Sequence, residues 1–338
     1  MNKLIGYVGL SHLDQLAPED IKSLDGINLA FGTVNDDHTI KFDGLKYVSQ
    51  LCDIRKVNPE IKILLSIGGW GAGGFSNAAI TEAGRKIFAE SCRQAVIDAG
   101  LNGIDLDWEY PTVPAAGIDA RPEDKETFTL LLQEIRDALD TIEADEHLLL
   151  TIAAGAGEYY IQGTEMEKVA SILDYVQIMT YDMASAYVTF TGHHTNLFNY
   201  GETKSSAKTA IDMFIEAGVP KEKIVMGAAF YTRKWDGVVN ANNGYRQKAD
   251  TIGDFGPDYG ALCENYMGKD GYVRYWDDDA KAPYLFNGSS YISYDDEESI
   301  SHKIDYLKKE GLYGIMYWEY KCDTTKTLTQ MMAKKLKE

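Results

Sequence analysis

The 338-residue sequence lacks the patterns that mark several common classes of protein. Its four cysteines, at positions 52, 92, 263 and 322, form no CxxC pair, so neither a zinc ribbon nor a disulfide framework is indicated. Its six histidines form no HExxH motif, and His193-His194 is interpreted as a polar loop pair rather than a ligand set. No apolar run is long enough to span a membrane. Met1 leads directly into a strand-like run, so no signal peptide is predicted.

Positive charge is also scarce. Lys and Arg number 33 against 52 Asp and Glu, which gives a formal net charge of -19. Nucleic-acid binding would have no electrostatic driving force on such a surface, whereas a neutral or cationic ligand suits it. Hydrophobic residues make up 45% and charged residues 25%, which is typical of a soluble globular protein. Aromatic residues reach 11%, and aromatic clefts commonly bind sugars or flat apolar ligands.

The most informative stretch is residues 102–111, which has a strand-like pattern. With a period of two, Asp105, Asp107 and Glu109 point one way and the apolar residues between them point the other. Three close carboxylates in a low-dielectric site cannot all ionise at neutral pH, so one is expected to hold a proton. Glu109, the longest and nearest the strand end, is the predicted proton donor. The alternatives are a solvated strand face, a salt-bridged core triad or a divalent metal site.

Strand-like and helical segments alternate along the chain. Eight strands are predicted, at residues 4–10, 26–34, 62–70, 103–110, 148–155, 175–183, 224–231 and 314–320. Helices are predicted at 45–57, 82–99, 123–143, 166–173, 205–217 and 299–310. This alternation predicts the α/β class and a (β/α)8 TIM barrel, in which the active site lies at the C-terminal ends of the strands.

One connection is too long to be a loop without structure of its own. Residues 232–294 are rich in Gly, Asp, Tyr and Trp and contain short alternating runs at 271–276 and 290–294. We therefore predict a small α+β insertion domain at 232–294, between strands seven and eight, that walls one side of the barrel mouth. The barrel itself would consist of residues 1–231 and 295–338.

Other strand ends carry residues suited to bind a ligand. They are Tyr7 and Phe31 on early strands, Ser66, Gly69 and Trp70 on strand three, Met179, Tyr181 and Asp182 on strand six, and Trp318 on the last strand. Each alone is more often a core residue, but their common location favours a site. Residues 69–74 also match GxGxxG, but this is the third strand and not the start of a βαβ unit, so nucleotide binding is not favoured.

Together these motifs resemble those of the glycoside hydrolase family 18 chitinases. The family pattern DxxDxDxE is similar to Asn102-x-x-Asp105-x-Asp107-x-Glu109. SxGG, MxYD and the late Trp match residues 66–69, 179–182 and 318, and 231–233 resembles the YGR that opens the family's insertion. Two positions depart: Asn102 replaces the first Asp, where we expect a structural role, and Ser11 replaces a frequent Trp, which predicts a weaker outer sugar subsite.

The resemblance implies substrate-assisted, retaining hydrolysis of β-1,4 bonds between N-acetylglucosamine units, an exception to the usual two-carboxylate scheme. It implies four catalytic residues: Glu109, Asp107, Asp105 and Tyr181. The implied substrate-binding residues are Tyr7, Phe31, Ser66, Gly69, Trp70, Met179, Asp182, Tyr231, Arg233 and Trp318. No cofactor and no metal are expected.

The expected partners are chitin or chitooligosaccharides, with no nucleic acid and no membrane, and we expect a monomer. Three alternatives stay open. An endo-β-N-acetylglucosaminidase or a peptidoglycan hydrolase would use the same chemistry. A non-catalytic lectin of the same fold typically lacks the acid at the position of Glu109, which is present here. A metal-dependent barrel enzyme would lose activity to a strong chelator.

Overall fold

The computed structural model describes residues 2–184 and 187–338. The strands within them are β1 Lys3–Gly9, β2 Gly26–Val34, β3 Ile40–Lys41, β4 Lys62–Gly68, β5 Gly103–Asp107, β6 Leu149–Gly155, β7 Tyr175–Met179, β8 Ile224–Ala229, β9 Tyr231–Asp236, β10 Asp254–Asp258, β11 Val273–Asp277, β12 Ala282–Phe286, β13 Ser290–Ser293 and β14 Gly314–Trp318. The α-helices are α1 Pro18–Ser23, α2 Val48–Val57, α3 Phe75–Ala79, α4 Glu82–Ala99, α5 Asp124–Asp140, α6 Glu158–Gln162, α7 Met166–Ile172, α8 Ala207–Glu216, α9 Tyr259–Asn265, α10 Glu297–Glu310 and α11 Thr327–Lys337.

Eight strands close into a barrel. Their order around the ring is β1, β14, β8, β7, β6, β5, β4 and β2, and β2 pairs with β1 to complete it. Neighbouring strands of the ring are parallel throughout. The predicted (β/α)8 barrel is confirmed, and all eight strand ends therefore meet at one mouth.

Strand β5 holds the acidic residues. It ends at Asp107, earlier than the predicted residue 110, so Glu109 lies just beyond the strand. Trp108 is buried and packs against Phe75 of α3 and Phe128 of α5, with ring centroids 5.5 and 5.6 Å away. Because Trp108 turns towards the helices, its neighbours Asp107 and Glu109 turn towards the barrel axis.

A glycine lets β4 approach β5 at the level of the acids. Gly68 pairs with Asp107 and has φ +124°. A Cβ at this position would lie 1.9 Å from the Asp107 carbonyl oxygen. Only glycine combines this backbone angle with so close a contact, which gives a physical reason for a glycine after Ser66-Ile67.

The segment after β8 forms a second, antiparallel sheet with the strand order β10, β9, β13, β12, β11. Helix α9 joins β10 to β11. Tyr231 was predicted to end the seventh barrel strand, but it begins β9 instead. The break falls at Phe230, whose N–H bonds to Trp318 and whose carbonyl accepts from Tyr259. The boundaries at 232 and 294, and a role for this sheet as a cleft wall, stay predictions.

Local caps define the longer helices. The Thr81 side chain accepts a bond from Gly84 at the start of α4, and Gly100 ends it in the left-handed conformation. A capping box of Asp296 and Ser299 starts α10. None of the helices formed by residues 2–184 and 187–338 is both long enough and apolar enough to cross a bilayer.

Candidate active site

Asp105 is the deepest of the three acids and is fully buried. One of its oxygens accepts hydrogen bonds from the Tyr7 hydroxyl at 2.9 Å and Ser66 at 2.7 Å. The other accepts from Thr151 at 2.7 Å and from the Gln177 amide at 2.9 Å. Burial raises the Asp105 pKa, and these four donors oppose that rise by stabilising the anion.

Two members of this network, Gln177 and Asn28, were not predicted from the sequence. Gln177 donates to Asp105 and to the Tyr7 oxygen, and Asn28 in turn donates to the Gln177 carbonyl at 2.9 Å. Both amides are fully buried inside strands. The sequence did carry a signal for them, a polar side chain in the middle of an apolar barrel strand. Such a side chain is normally buried only when it has a hydrogen-bond partner.

Asp107 lies one level above and is also buried. Burial raises its pKa well above the usual range, and the nearby Glu109 and Asp105 carboxylates raise it further. Its Oδ1 has no hydrogen-bond partner among residues 2–184 and 187–338. Four donors stabilise the Asp105 anion and none of them reaches Asp107, so a proton shared by these two acids is favoured on Asp107.

Glu109 stands nearest the mouth, with 8% of its surface exposed. Burial raises its pKa to about 7, helped by the negative charge of Asp182 and opposed by the hydroxyl of Tyr110. A carboxyl group with that pKa is half protonated near neutral pH, which suits a general acid that later acts as a base.

Aromatic rings form the floor of the mouth. Phe31 stacks on Trp318 with centroids 5.3 Å apart, and Tyr7 packs against Trp318 at 5.6 Å. Gly69 lies beneath Phe31, where a Cβ would come within 2.7 Å of the ring. Met179 packs against the same cluster. Five of the predicted site residues therefore lie together.

A second group stands on the side of β7 and β9. Tyr181 is half-buried, and burial of its phenol together with the nearby Asp107 raises its pKa; its ring meets Tyr231 at 5.8 Å. Asp182 has φ +61° and accepts a hydrogen bond from Arg233 Nε at 2.7 Å. Tyr231 and Arg233 alternate along β9 and share a face, so the barrel and the second sheet both contribute to the mouth.

Trp70 differs from the floor residues because 58% of its surface is exposed. Its ring meets the edge of Tyr110 at 6.4 Å, and Tyr110 packs against Tyr159 at 5.0 Å. Trp70 is therefore not a core residue, and it is available to a ligand beside Glu109. Tyr110 and Tyr159 were not predicted as site residues.

His193 and His194 were interpreted as a polar loop pair, and the structure differs, because both are fully buried. His193 bonds to Asp277 in β11 at 3.0 Å. His194 turns towards Asp182, with 3.6 Å between Nδ1 and Oδ1. Folding of the second sheet over this segment buries them, and their local sequence gives no sign of that.

A cavity of about 460 Å³ opens beside Phe31 at the ends of β1 and β2. It is lined by Leu10, Ser11, Asp14, Ala30, Phe31, Lys46, Tyr47 and Gln50. Ser11, the departure from the family pattern, is thus part of a polar hollow next to the aromatic floor. The lining combines hydrogen-bonding groups with apolar surface, as a sugar requires.

The acids do not suit a metal ion. Both Asp105 oxygens are occupied by hydroxyl and amide donors, which leaves no lone pair directed at a cation. Across residues 2–184 and 187–338, no cluster of three or more His, Cys, Asp or Glu side chains has the arrangement of a metal site.

Comparison with known proteins gives the family. The family model for glycosyl hydrolases family 18 matches residues 3–323. Chitinase A1 of Niallia circulans is 41% identical over 305 residues, which cover 83% of this chain but only 43% of that protein. A family 18 N-acetylglucosaminidase from Paenibacillus barengoltzii superimposes with a TM-score of 0.97 at 50% identity, covering 99% of this chain and all of the other.

A class V chitinase from Nicotiana tobaccum, solved in complex with NAG4, has a TM-score of 0.87 at 27% identity, with 99% of each chain covered. The three carboxylates thus stand in a barrel shared along its whole length with glycoside hydrolases. The chain belongs to glycosyl hydrolases family 18.

Proposed function

We propose that this family 18 member hydrolyses β-1,4 bonds between N-acetylglucosamine units in chitin or chitooligosaccharides. The observation that carries the proposal is the row of Asp105, Asp107 and Glu109 on one wall, in which the inner acid is satisfied and the outer one has a pKa of about 7. Such a row supplies a proton at neutral pH without a metal.

In the first step Glu109 protonates the glycosidic oxygen that leaves. The protonated Asp107 lies beside it and, together with the Tyr181 phenol, holds the 2-acetamido group of the scissile sugar, whose oxygen attacks the anomeric carbon. The negative charge that Asp105 retains stabilises the cationic intermediate through Asp107. Glu109 then takes a proton from the water that opens the intermediate.

The remaining residues hold the sugar chain. Trp318 and Phe31 offer an apolar floor for the scissile sugar, and Asp182 and Arg233 offer charged hydrogen-bonding groups to its hydroxyls. Trp70 offers a stacking surface next to the leaving group. The second sheet, which carries Tyr231 and Arg233, acts as the wall of the cleft.

Incubation with acetylated chitin tetramers and hexamers, followed by mass spectrometry and by NMR of the fresh anomer, tests this function. We expect shorter acetylated oligomers that retain the β configuration. A glycoprotein N-glycan and a peptidoglycan fragment serve as competing substrates. Cleavage of either of these in preference to the chitin oligomers would contradict the proposed substrate class.

A second candidate, release of single N-acetylglucosamine units from short oligomers, is favoured by the N-acetylglucosaminidase that is 50% identical over its full length. The cavity beside Phe31 favours binding of a further sugar, and thus internal cleavage. The first products from a hexamer separate the two: a monomer with a pentamer indicates terminal release, and dimers to tetramers indicate internal cleavage.

The activity should be lost at alkaline pH. Glu109 acts as an acid only when it is protonated, so kcat/KM should fall as the pH rises through its pKa of about 7. A fluorogenic chitobioside assayed from pH 5 to 9 measures this limb. Thermal unfolding over the same range is the control for loss of structure. A rate that stays constant to pH 9 would contradict the assignment of the acid.

The two tryptophans of the proposed site, Trp70 and Trp318, should differ in their effects. Trp318→Ala removes the floor at the scissile sugar and should lower kcat as well as binding for all substrates. Trp70→Ala removes about 1 kcal/mol of stacking, or roughly fivefold in affinity, on a more distant sugar. Kinetics with a dimeric and a hexameric substrate measure both. Equal effects of the two variants on both substrates would contradict this placement.

A further inference from the structure

His194 lies in the segment that precedes α8. Its N–H donates to the Ser293 hydroxyl of β13 at 2.9 Å, and its carbonyl accepts from Met183 at 3.0 Å. The residue before it, His193, bonds to Asp277, and the residue after it, Thr195, donates to Asp295 at 2.7 Å. Hydrogen bonds thus tie this segment to the second sheet through Ser293 and Asp277, and to the residues before α10 through Asp295.

The His194 side chain has a different environment from its neighbours. It is fully buried, and its ring packs on Tyr231 with centroids 5.2 Å apart. Neither ring nitrogen has a hydrogen-bond partner among the described residues within ordinary distance. Its nearest polar contact is Nδ1 to Asp182 Oδ1 at 3.6 Å. An unsatisfied buried polar group destabilises the folded chain, so an apolar side chain would be more stable here.

Arg233 and His194 both approach the same oxygen of Asp182, Oδ1. Arg233 Nε donates to Oδ1 at 2.7 Å from β9, whereas His194 approaches Oδ1 from the connection before α8. Two directions of approach to one oxygen fix the rotation of the carboxylate, which one direction alone does not. This matters for Glu109, because the Asp182 charge contributes to its raised pKa.

We propose that His194 is a positioning residue, which holds the Asp182 carboxylate at the orientation that keeps Glu109 protonated at neutral pH. The proposal rests on the proposed function, since it gives Glu109 the role of the acid. His194 is fully buried, so a ligand in the mouth does not reach it. It acts through Asp182, and its site is kept at a cost in stability.

Burial, more than the surrounding charges, favours a neutral His194. The charged or titratable groups that face it are Asp182, Arg233, Tyr231 and, farther away, Asp295, which is paired with buried Lys303. Burial lowers the His194 pKa, and the nearby Asp182 carboxylate opposes this. Burial raises the Asp182 pKa, but His194 and Arg233 more than offset it, so Asp182 stays ionised. A neutral imidazole orients this anion without cancelling its charge.

His194→Leu and His194→Asn test the proposal as a pair. Leu fills the buried position of His194 without a hydrogen-bond donor, so Tm should stay the same or rise. The kcat should fall about tenfold while KM changes little. The alkaline limb of kcat/KM should move to lower pH, because the anion beside Glu109 is no longer held. Asn restores a donor and should recover most of both losses.

His193→Leu is the matched control, because it removes a neighbouring buried imidazole that pairs with Asp277 and not with Asp182. It should lower Tm and leave the pH limb in place. The proposal would be overturned if His194→Leu kept the wild-type kcat and the wild-type alkaline limb. It would also be overturned if His194→Leu lost Tm and kcat together and His194→Asn did not restore them.

An NMR titration of 13C-labelled aspartate carboxyls gives a readout independent of turnover. The Asp182 pKa should rise in His194→Leu and return in His194→Asn. An unchanged Asp182 pKa in the Leu variant would overturn the positioning role. A wild-type enzyme that cleaves no chitooligosaccharide would contradict the proposed function instead, and the Asp182 titration would still decide the contact.

Discussion

Glu109→Gln is expected to remove nearly all hydrolysis while oligosaccharide binding persists. The amide keeps the size and hydrogen-bonding groups of the acid but has no proton to give to the leaving oxygen. General acid catalysis contributes roughly 10²–10⁴-fold, so kcat should fall by about that factor. Single-turnover kinetics with an acetylated tetramer measure kcat, and calorimetry with the same tetramer measures Kd.

The same variant should also be more stable than the wild type at pH 8. Glu109 has a pKa of about 7 in the folded chain against an ordinary value of 4.5. A raised folded pKa means that stability is lost as the pH rises from 4.5 through 7, and this loss is on the order of 3 kcal/mol at most. The neutral Gln avoids that loss.

Glu143→Gln, an exposed glutamate just beyond α5, is the matched control and should change neither kcat nor stability. Wild-type turnover in Glu109→Gln would show that another group is the acid. If Glu109→Gln were less stable than the wild type at pH 8, ionisation of Glu109 would not destabilise the folded chain as proposed.

The barrel could be predicted because its eight strands are short apolar runs, several of which end in residues suited to catalysis or ligand binding. The spacing of Asp105, Asp107 and Glu109 by two residues places them on one face wherever a strand forms. The motif at 66–69 is explained by two close approaches, Gly68 to Asp107 and Gly69 to Phe31. Local sequence and tertiary structure agree at these positions, which is the condition under which prediction succeeds.

The remaining site residues depend on long-range contacts. Gln177 meets Asp105 across 72 residues and Tyr7 across 170. The burial of His194 depends on Ser293, 99 residues away. Helix α11 is a different case: Leu328, Met332 and Leu336 show a helical period and are buried, so its sequence carried a signal that was missed.

In the proposed mechanism the three acids stand on one wall, so none of them attacks the opposite face of the sugar. Asp107 ends β5 and Glu109 follows two residues later, so the two side chains belong to the same short stretch of chain. Burial and two neighbouring acids raise the pKa of Asp107 well above the usual range, which favours its protonated form. A protonated carboxyl is a poor nucleophile and a good hydrogen-bond donor, so the proposed mechanism assigns the attack to the acetamido oxygen of the substrate.

A fully deacetylated chitosan hexamer should therefore bind, since its ammonium groups suit a chain of net charge -19, but it should not be cleaved. The fully acetylated hexamer is the control and should be cleaved under the same conditions. A thiazoline analogue of the oxazolinium intermediate should inhibit competitively and bind more tightly than the substrate, because it carries the geometry of the intermediate. Mass spectrometry of products and of intact enzyme measures both outcomes. Comparable cleavage of the deacetylated hexamer, or a covalent sugar adduct on Asp107, would replace substrate assistance with a two-carboxylate mechanism.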